Sequence, residues 1–458
     1  MNDTVTHFST LQLHSPVAPT SASRELLERI DAAQDVVSWP ELAGLVHWRG
    51  NQELPLHRWY KYREGYSPAL IEALHLGQNI LDPFSGSGSI MVGAAEMGLR
   101  SAGIDVNPLA TFVTSVKLTP LSASQLDRAE EFARAMNNLS LTSDTWPMPA
   151  LTIASNMFEP DIMKVMLQLR EQIATFDDDS NLHNFLLLAW IAVLETVGSY
   201  FKEGNGIKYR KKKRARDSYE NHVDGEWQSK RFGADQRTFA LEKYIEHLEM
   251  MVMDGRESWS GQQWKDQQIH TGSANQIMPT LESGSFDSVV FSPPYANRFD
   301  YFESMKVELW FGGFVKSYED LNALRKTSMR SHLGADLNQK TTTLPDLEAL
   351  IESMDGESYA VGMRVPSLLR GYFEDIRQVL FESRRVTVAN GHTYVVVGNS
   401  AYAGMIVPTD SLVAQIGKEV GFTNARVHVV RSLTVAPQQR ARLVGLEEFM
   451  RESVVELW

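Results

Sequence analysis

The chain has 458 residues, a net charge of −13 at neutral pH and no cysteine. This length accommodates a large hydrophobic core, either in about three average domains or in one elaborated domain that carries an insertion. The negative charge argues against a protein that coats polyanions generally, so any nucleic-acid contact requires a local basic patch. The absence of cysteine excludes Cys-ligated zinc sites and iron–sulfur centres.

The N-terminal segment 1–20 is polar and lacks the basic-then-apolar order of a signal peptide. A helix is predicted from Ser23, and an unusually aromatic segment follows at 48–74. The most apolar stretch, 185–194, is too short to span a bilayer and predicts a buried helix. We therefore expect a cytoplasmic protein that does not contact a membrane.

Residues 79–89 form an apolar run that ends in Asp82 and breaks into a glycine-rich turn, which predicts a strand, a loop and the start of a helix. Gly86 and Gly88 let the backbone approach a ligand closely, and the N–H groups at the helix start suit a carboxylate or another anion. A P-loop has Lys and then Ser or Thr after its last glycine, whereas Gly88 is followed by Ser89 and an isoleucine. Nucleotide hydrolysis is therefore disfavoured.

A second predicted strand ends at Asp105, 23 positions after Asp82. A carboxylate about 20 residues after such a turn meets the ribose hydroxyls of an adenosine-bearing cofactor. The turn alone is also compatible with a purely structural role. The acid at this distance favours a cofactor site.

Residues 121–268 are mostly helical by periodicity and interrupt the alternation of strands and helices. They contain the strongest basic cluster of this acidic chain, at 202–216. Such a run is often only solvated surface, and the alternative is contact with a phosphate backbone. The residues predicted to bind nucleic acid are Lys208, Arg210, Lys211, Lys212, Lys213, Arg214 and Arg216 in this cluster and, further along the chain, Arg298.

The strand pattern resumes at 268–275, and a buried strand is predicted over 286–291. This strand delivers a short rigid motif at its C-terminal end, where α/β sheets place their chemistry. The motif consists of Ser292, Pro293, Pro294 and Tyr295.

The remainder of the chain continues the strand–helix pattern. Residues 301–353 have helical periodicity and interspersed basic side chains, which suit a second loop facing nucleic acid and ordinary surface equally. Further predicted elements are a helix over 372–385, a strand over 393–399, a helix over 409–420, a strand over 425–435 and a last helix over 440–458.

Two motifs together carry a family resemblance, the one from Asp82 to Gly88 and the one at 292–295. In this order they resemble the motif pair of S-adenosylmethionine-dependent DNA methyltransferases that modify exocyclic amino groups. The resemblance covers about 50–117 and 268–435. It implies a doubly wound, Rossmann-like α/β sheet, the cofactor S-adenosylmethionine, and double-stranded DNA from which the target base is flipped out.

The resemblance also implies which residues bind the cofactor. Ser273 stands where related enzymes often have an aspartate near the adenine amino group, so its role departs from the family pattern. The implied cofactor residues are Tyr62 and Ser67 in the aromatic segment, Asp82, Pro83, Phe84, Ser85, Gly86, Ser87 and Gly88 in the glycine turn, Asp105, Val106 and Asn107 after the second strand, and Ser273 and Ala274.

An exocyclic amine of a nucleobase is a poor nucleophile because its lone pair is delocalised into the ring. We predict that the side chain of Ser292 and the carbonyl of Pro293 accept hydrogen bonds from this amine, which favours a pyramidal nitrogen. The two prolines stiffen the loop, and Tyr295 offers a face on which the base stacks. Methylation at carbon 5 of a pyrimidine uses a cysteine nucleophile in the families that perform it, so the chain is not suited to that reaction.

By the same resemblance, Ser292 favours N4-methylcytosine as the product, because Asp or Asn at this position is commoner among enzymes that make N6-methyladenine. Adenine is therefore the alternative target. A tRNA guanine-N2 methyltransferase is a second alternative, and a catalytically silent nucleic-acid-binding protein is a third. The resemblance suggests a restriction-modification or phage-defence setting, with a cognate restriction endonuclease or defence proteins as possible partners.

These elements predict a discontinuous catalytic domain formed by 50–120 and 269–435. Residues 1–49 are expected to be an N-terminal extension, and residues 436–458 a C-terminal helix. By elimination, the helical insertion at 121–268 is expected to recognise the DNA sequence.

Overall fold

The computed structural model describes residues 21–139, 146–203, 206–210, 231–233, 235–260, 264, 266–338, 341–354, 364–435 and 439–458. Within these ranges the chain forms one large sheet and two small hairpins. In chain order the strands are β1 (Asp35–Ser38), β2 (Asn79–Asp82), β3 (Arg100–Asp105), β4 (Tyr200–Glu203), β5 (Gly206–Tyr209), β6 (Gln267–Thr271), β7 (Phe286–Phe291), β8 (Thr387–Gly398), β9 (Ser400–Tyr402), β10 (Met405–Val407), β11 (Ala425–Ser432) and β12 (Arg451–Leu457).

The α-helices cover both faces of the sheet and fill most of the segment between β3 and β6. They are α1 (Ser21–Ala32), α2 (Leu70–Ala73), α3 (Ser89–Glu96), α4 (Pro108–Lys117), α5 (Ala123–Met136), α6 (Ala154–Met157), α7 (Pro160–Ala174), α8 (Ser180–Val197), α9 (Gln236–Ser258), α10 (Ala274–Ile277), α11 (Tyr301–Ser304), α12 (Lys306–Phe311), α13 (Tyr318–Thr327), α14 (Pro345–Glu352), α15 (Val365–Val386) and α16 (Thr409–Glu419).

The large sheet has eight strands in the order β1-β11-β12-β8-β7-β2-β3-β6. All neighbouring pairs from β8 to β6 are parallel, and β12 runs antiparallel to both of its neighbours. The predicted doubly wound, Rossmann-like α/β fold is confirmed.

The strand order reverses direction between β2 and β7. From β2 the chain adds β3 and β6 on one side, and it then returns to place β7 and β8 on the other side. The two strands are paired in parallel, with Leu81 opposite Val289. Their carboxyl ends therefore meet at the topological switch point, which is the place where open α/β sheets bind ligands.

The helices between β3 and β6 share a hydrophobic core with Trp59 and with residues of α3 and α12. The capping box of Ser122 and Gln125 fixes the start of α5, and Asp179 accepts a hydrogen bond from the Leu182 N–H at the start of α8. Among the described residues, α8 alone has the length and composition of a membrane span, but 61% of it is buried inside the protein. It packs against α5, α7 and α9, so the buried helix predicted at 185–194 is confirmed as a core helix.

The predicted C-terminal helix over 436–458 is wrong. Short 3₁₀ turns at Arg440–Arg442 and Glu447–Phe449 lead into β12, which lies between β11 and β8 in the sheet. Val454 and Val455 are β-branched, and pairing on both sides of the strand outweighs the weak helical pattern of this segment. The sheet also takes its edge strand β1 from the predicted N-terminal extension 1–49.

Equivalent substitutions at two valines near the C-terminus distinguish the strand from a surface helix. Val454 is fully buried, whereas Val444 is 62% exposed. We expect Val454→Asp to lower the free energy of unfolding by more than about 3 kcal/mol, because it places an unpaired carboxylate in the core. Val444→Asp is the matched control, and urea denaturation should leave it within about 0.5 kcal/mol of the wild type. Similar losses in both variants would contradict the central position of β12.

Candidate active site

A cavity of about 380 Å³ opens at the carboxyl ends of β2, β3 and β7. Both sequence motifs contribute to its wall, together with the aromatic segment upstream of β2. The predicted site residues that line it are Tyr62, Pro83, Phe84, Gly86, Asp105, Val106, Asn107, Ser273, Ala274, Ser292, Pro293, Pro294 and Tyr295.

The glycine turn and the end of β3 are joined by the carboxylate of Asp105. Its Oδ2 accepts a hydrogen bond from the Gly86 N–H at 2.9 Å, and its Oδ1 accepts one from the Asn107 N–H at 2.8 Å. Burial raises the pKa of Asp105 to about 6, against the opposing effect of these two bonds. Each carboxylate oxygen keeps a second lone pair, so Asp105 can also accept hydrogen bonds from a ligand in the cavity.

Gly86 is required by close packing as well as by backbone conformation. Its φ is +51°, and a Cβ added there would lie 2.8 Å from Cε1 of Tyr62. The ring of Tyr62 therefore rests against the glycine turn and forms a wall of the cavity. Any larger residue at this position would displace the ring or the turn.

Several residues that were predicted to bind the cofactor lie behind the cavity wall. Ser85, Ser87 and Gly88 are buried. The Ser85 N–H donates to the Ile104 carbonyl at 2.9 Å, and the ammonium of the buried Lys117 donates to the Ser87 carbonyl at 2.9 Å. These contacts fix the backbone conformation of the turn on the side away from the cavity.

Asp82 and Ser67 also do not line the cavity. Asp82 is 2% exposed, and its Oδ2 accepts a hydrogen bond from the Tyr66 hydroxyl at 2.5 Å. Its Oδ1 accepts from the Phe84 N–H at 3.0 Å, so the carboxylate fixes the first residues of the turn. The hydroxyl of Ser67 accepts from the Ala69 N–H at 3.3 Å, which keeps it outside the cavity.

The second motif leaves β7 and forms the opposite side of the cavity. Pro293 is buried, while Ser292, Pro294 and Tyr295 are partly exposed to the cavity. The Tyr295 hydroxyl donates a hydrogen bond to Glu452 Oε1 at 2.7 Å. Burial raises the pKa of Tyr295 well above its ordinary value, so this tyrosine is a neutral donor.

Comparison with known proteins identifies relatives along most of the chain, although no family model matches it. It is 22% identical over 426 residues to the Type II methyltransferase M.BsoBI of Geobacillus stearothermophilus, which covers 84% of this chain and 82% of the relative. It is 22% identical to the Type II methyltransferase M.AvaI of Nostoc sp., with 84% and 83% covered. It is 21% identical to the Type II methyltransferase M.MvaI of Kocuria varians, with 79% and 81% covered.

The predicted resemblance to DNA methyltransferases is confirmed. It extends over 84% of the chain and therefore includes at least part of the helical segment 121–268.

Sequence reasoning missed several residues that line the cavity. Some of them lie in segments that the sequence had marked as unusual, such as Trp48 in the aromatic segment and His332 in the basic segment 301–353. Two others lie outside both motifs. Arg431 is in the strand that was predicted over 425–435, where no motif marked it, and Glu452 is in the segment that was predicted to be a helix.

His332 is a neutral side chain in the cavity wall. Its Nδ1 accepts a hydrogen bond from the Gly334 N–H at 3.1 Å, so its proton lies on Nε2, which is 3.0 Å from the Ser328 hydroxyl. Burial lowers the pKa of His332. Both ring nitrogens form hydrogen bonds within the protein, so we assign His332 a structural role in the cavity wall.

The residues predicted to bind nucleic acid lie in different surroundings. Lys208 is exposed on the β4–β5 hairpin and pairs with Glu203, whereas the guanidinium of Arg210 lies over the ring of Phe201. Arg298 has a left-handed φ of +65° and lies over the ring of Tyr402, on β9. Lys211, Lys212, Lys213, Arg214 and Arg216 lie outside the described residues.

Two of the basic residues in 301–353 are engaged inside the protein. Arg330 is 3% exposed and forms an ion pair with Asp375 at 2.6 Å. Arg325 pairs with Asp300 at 2.7 Å and with Glu303 at 3.0 Å. These arginines stabilise the segment next to the cavity and do not form a free basic surface.

The buried Asp82 makes stability depend on pH. Burial raises its pKa to about 7, whereas the pKa of an unfolded aspartate is about 4. The native state therefore binds more protons between these values, and the free energy of unfolding falls as the pH rises through this range. We expect the wild type to lose about 2 kcal/mol more than Asp82→Asn between pH 5 and pH 8 in urea denaturation.

A surface carboxylate provides the control for this measurement. Asp161, with a side chain 53% exposed, is paired with Arg237 at the surface. Asp161→Asn should retain the pH dependence of the wild type. Parallel stability profiles for the wild type and Asp82→Asn would contradict the assignment.

Proposed function

We propose that the chain is a site-specific DNA methyltransferase that transfers a methyl group from S-adenosylmethionine to the exocyclic N4 of a flipped cytosine. One observation carries the proposal. The glycine turn after β2 and the 292–295 motif after β7 line a single cavity at the switch point of the sheet. A methyl transfer needs its donor and acceptor side by side, and this topology supplies two adjoining subsites.

The residues of the first subsite fit S-adenosylmethionine. The volume of about 380 Å³ is within the range of small-molecule sites. Asp105 retains acceptor capacity for the ribose hydroxyls, and the turn at Gly86 has no side chain that would obstruct the ligand. The aromatic wall of Tyr62 would enclose the cofactor. When bound, the cofactor supplies an electrophilic methyl group on a sulfonium.

In the second subsite the residues of the chain orient the amine. Ser292 and the Pro293 carbonyl would accept its two hydrogen bonds and direct the nitrogen lone pair toward the methyl group. The Tyr295 hydroxyl is tied to Glu452 at 2.7 Å, so its ring is held in place for stacking against the base. The methylated nitrogen loses its extra proton to water after the transfer, so the transfer step requires no titrating base.

Cytosine is our preferred target because the motif begins with Ser292, which in the resembling enzymes is commoner at N4-methylcytosine sites. The relatives are named Type II methyltransferases, which supports a restriction-modification setting. Within that setting a restriction endonuclease of the same specificity is the partner we propose, and the location is cytoplasmic.

We further propose that 121–268 recognises the DNA, while 50–120 and 269–435, together with β12, form the catalytic domain. The β4–β5 hairpin supports this division because it leads into the basic stretch and is anchored beside the cavity. Lys202 on β4 forms a buried ion pair with Glu308 at 2.7 Å, and the guanidinium of the cavity-lining Arg63 donates to the Lys202 carbonyl at 2.6 Å. The basic cluster therefore starts close to the catalytic centre, and we propose that it contacts DNA phosphates.

The test is methyl transfer from S-adenosylmethionine to unmethylated genomic DNA, followed by digestion to nucleosides and mass spectrometry. We expect N4-methylcytosine from the wild type. Ser292→Ala should lower the rate at least about 100-fold, because it removes one acceptor from the amine. Ser21→Ala, at an exposed position at the start of α1, is the matched control and should keep the wild-type rate.

Each other product contradicts a defined part of the proposal. N6-methyladenine would overturn the choice of base and keep the reaction. Methylation of tRNA with unmodified DNA would overturn DNA as the substrate. Cofactor binding without transfer to either nucleic acid would overturn the enzymatic assignment.

A further inference from the structure

The cavity has a polar wall on the side away from the glycine turn, formed by Glu452 and Arg431. Glu452 has a side chain only 4% exposed, and its Oε2 accepts a hydrogen bond from Arg431 Nε at 2.5 Å. Its other oxygen, Oε1, accepts the bond from the Tyr295 hydroxyl. The carboxylate thus connects the 292–295 motif to an arginine that belongs to neither sequence motif.

The backbone of the sheet is adapted to this arrangement. The register of β11 against β12 shifts between Val429 and Arg431, and the shift places Arg431 directly opposite Glu452. A β-bulge of this kind redirects a side chain and is common beside active sites. Without it, Val430 would occupy the position opposite Glu452.

Glu452 is also opposite a glycine on its other neighbour, β8. Gly398 pairs with Glu452, and a Cβ added to Gly398 would lie 2.8 Å from Cε2 of Tyr295. The missing side chain makes room for the tyrosine ring, which allows its hydroxyl to reach the carboxylate. Strands β8, β11 and β12 therefore together shape the hydrogen-bonded unit that consists of Tyr295, Glu452 and Arg431.

The guanidinium of Arg431 is only partly used by this unit. Nε is bonded to Glu452, while the two terminal nitrogens have no hydrogen-bond partner within the part of the chain that the structure describes. The side chain lines the cavity and is 37% exposed. It therefore presents a rigid pair of donors, with its orientation fixed by a buried carboxylate.

We propose that Arg431, held by Glu452, determines base specificity by donating hydrogen bonds to the N3 and O2 atoms of the flipped cytosine. This inference rests on the proposed function. The Watson–Crick edge of cytosine has two adjacent acceptors beside its amine, and a guanidinium fork matches two adjacent acceptors. The same edge of adenine has one acceptor, N1, next to a C–H group. The arginine thus favours cytosine at a site where the amine itself does not distinguish the two bases.

The test uses equilibrium binding to two duplexes that contain the recognition sequence, as mapped from the methylated genomic DNA. One duplex has a mispaired cytosine at the target position, and the other has an abasic site there. We expect Arg431→Gln and Arg431→Lys to bind the cytosine duplex about 10- to 100-fold more weakly than the wild type. Both variants should bind the abasic duplex as the wild type does, because there is no base to contact.

Arg426 provides the matched control. It lies on the same strand and pairs with Asp35 at the surface, so Arg426→Gln should bind both duplexes with wild-type affinity. The abasic duplex also reports on folding, and Arg431→Lys retains the charge if the glutamine variant is unstable. Unchanged binding of the cytosine duplex by both Arg431 variants would overturn the proposal.

Three other results would also overturn it. Equal weakening on both duplexes with a shallower salt dependence would make Arg431 a phosphate contact. A wild type that binds the abasic duplex as tightly as the cytosine duplex would exclude recognition of the base. A wild type that methylates no DNA would refute the proposed function together with this inference, whereas normal N4-methylation with unaffected Arg431 variants would refute the inference alone.

Discussion

Parallel pairing of β2 with β7 is the constraint on which the site depends. The two strands are distant in sequence, but their pairing brings the ends of both to the same edge of the sheet. Asp82 and the glycine turn follow one strand, and Ser292 follows the other. A shift of this pairing by one residue would turn the alternating side chains of a strand to the other face, so the buried register fixes the position of both motifs.

Buried polar groups then hold the glycine turn from behind. Asp82, Lys117 and Asp105 each bind backbone atoms of the turn or of the residues that flank it. Asp82 and Lys117 are removed from solvent, whereas Asp105 also lines the cavity. Such groups are costly to bury unless they are hydrogen-bonded. Their bonds fix a backbone that contains two glycines with positive φ, and this leaves the cavity face of the turn open for a ligand.

The sequence predicted the elements in which apolar residues recur at a regular, short spacing. Strands β2, β3 and β7, the long helices between β3 and β6, and most cavity-lining residues of the two motifs follow from local residue order. It did not predict which motif residues face the ligand. Asp82 and Ser87 belong to the turn by sequence, and only tertiary packing decides that they lie behind the wall. Pairing in the sheet is also not local, so β12 was mistaken for a helix and Glu452 was missed.

The most direct test of a shared site for cofactor and base is a crystal structure of the protein with S-adenosylhomocysteine and a duplex that contains the recognition sequence. We predict that the ribose hydroxyls lie at Asp105, and that the sulfur and the flipped target base lie together at the 292–295 motif. A ligand bound outside the cavity between the ends of β2 and β7, or a target base still stacked in the duplex while the cofactor product is in place, would contradict it.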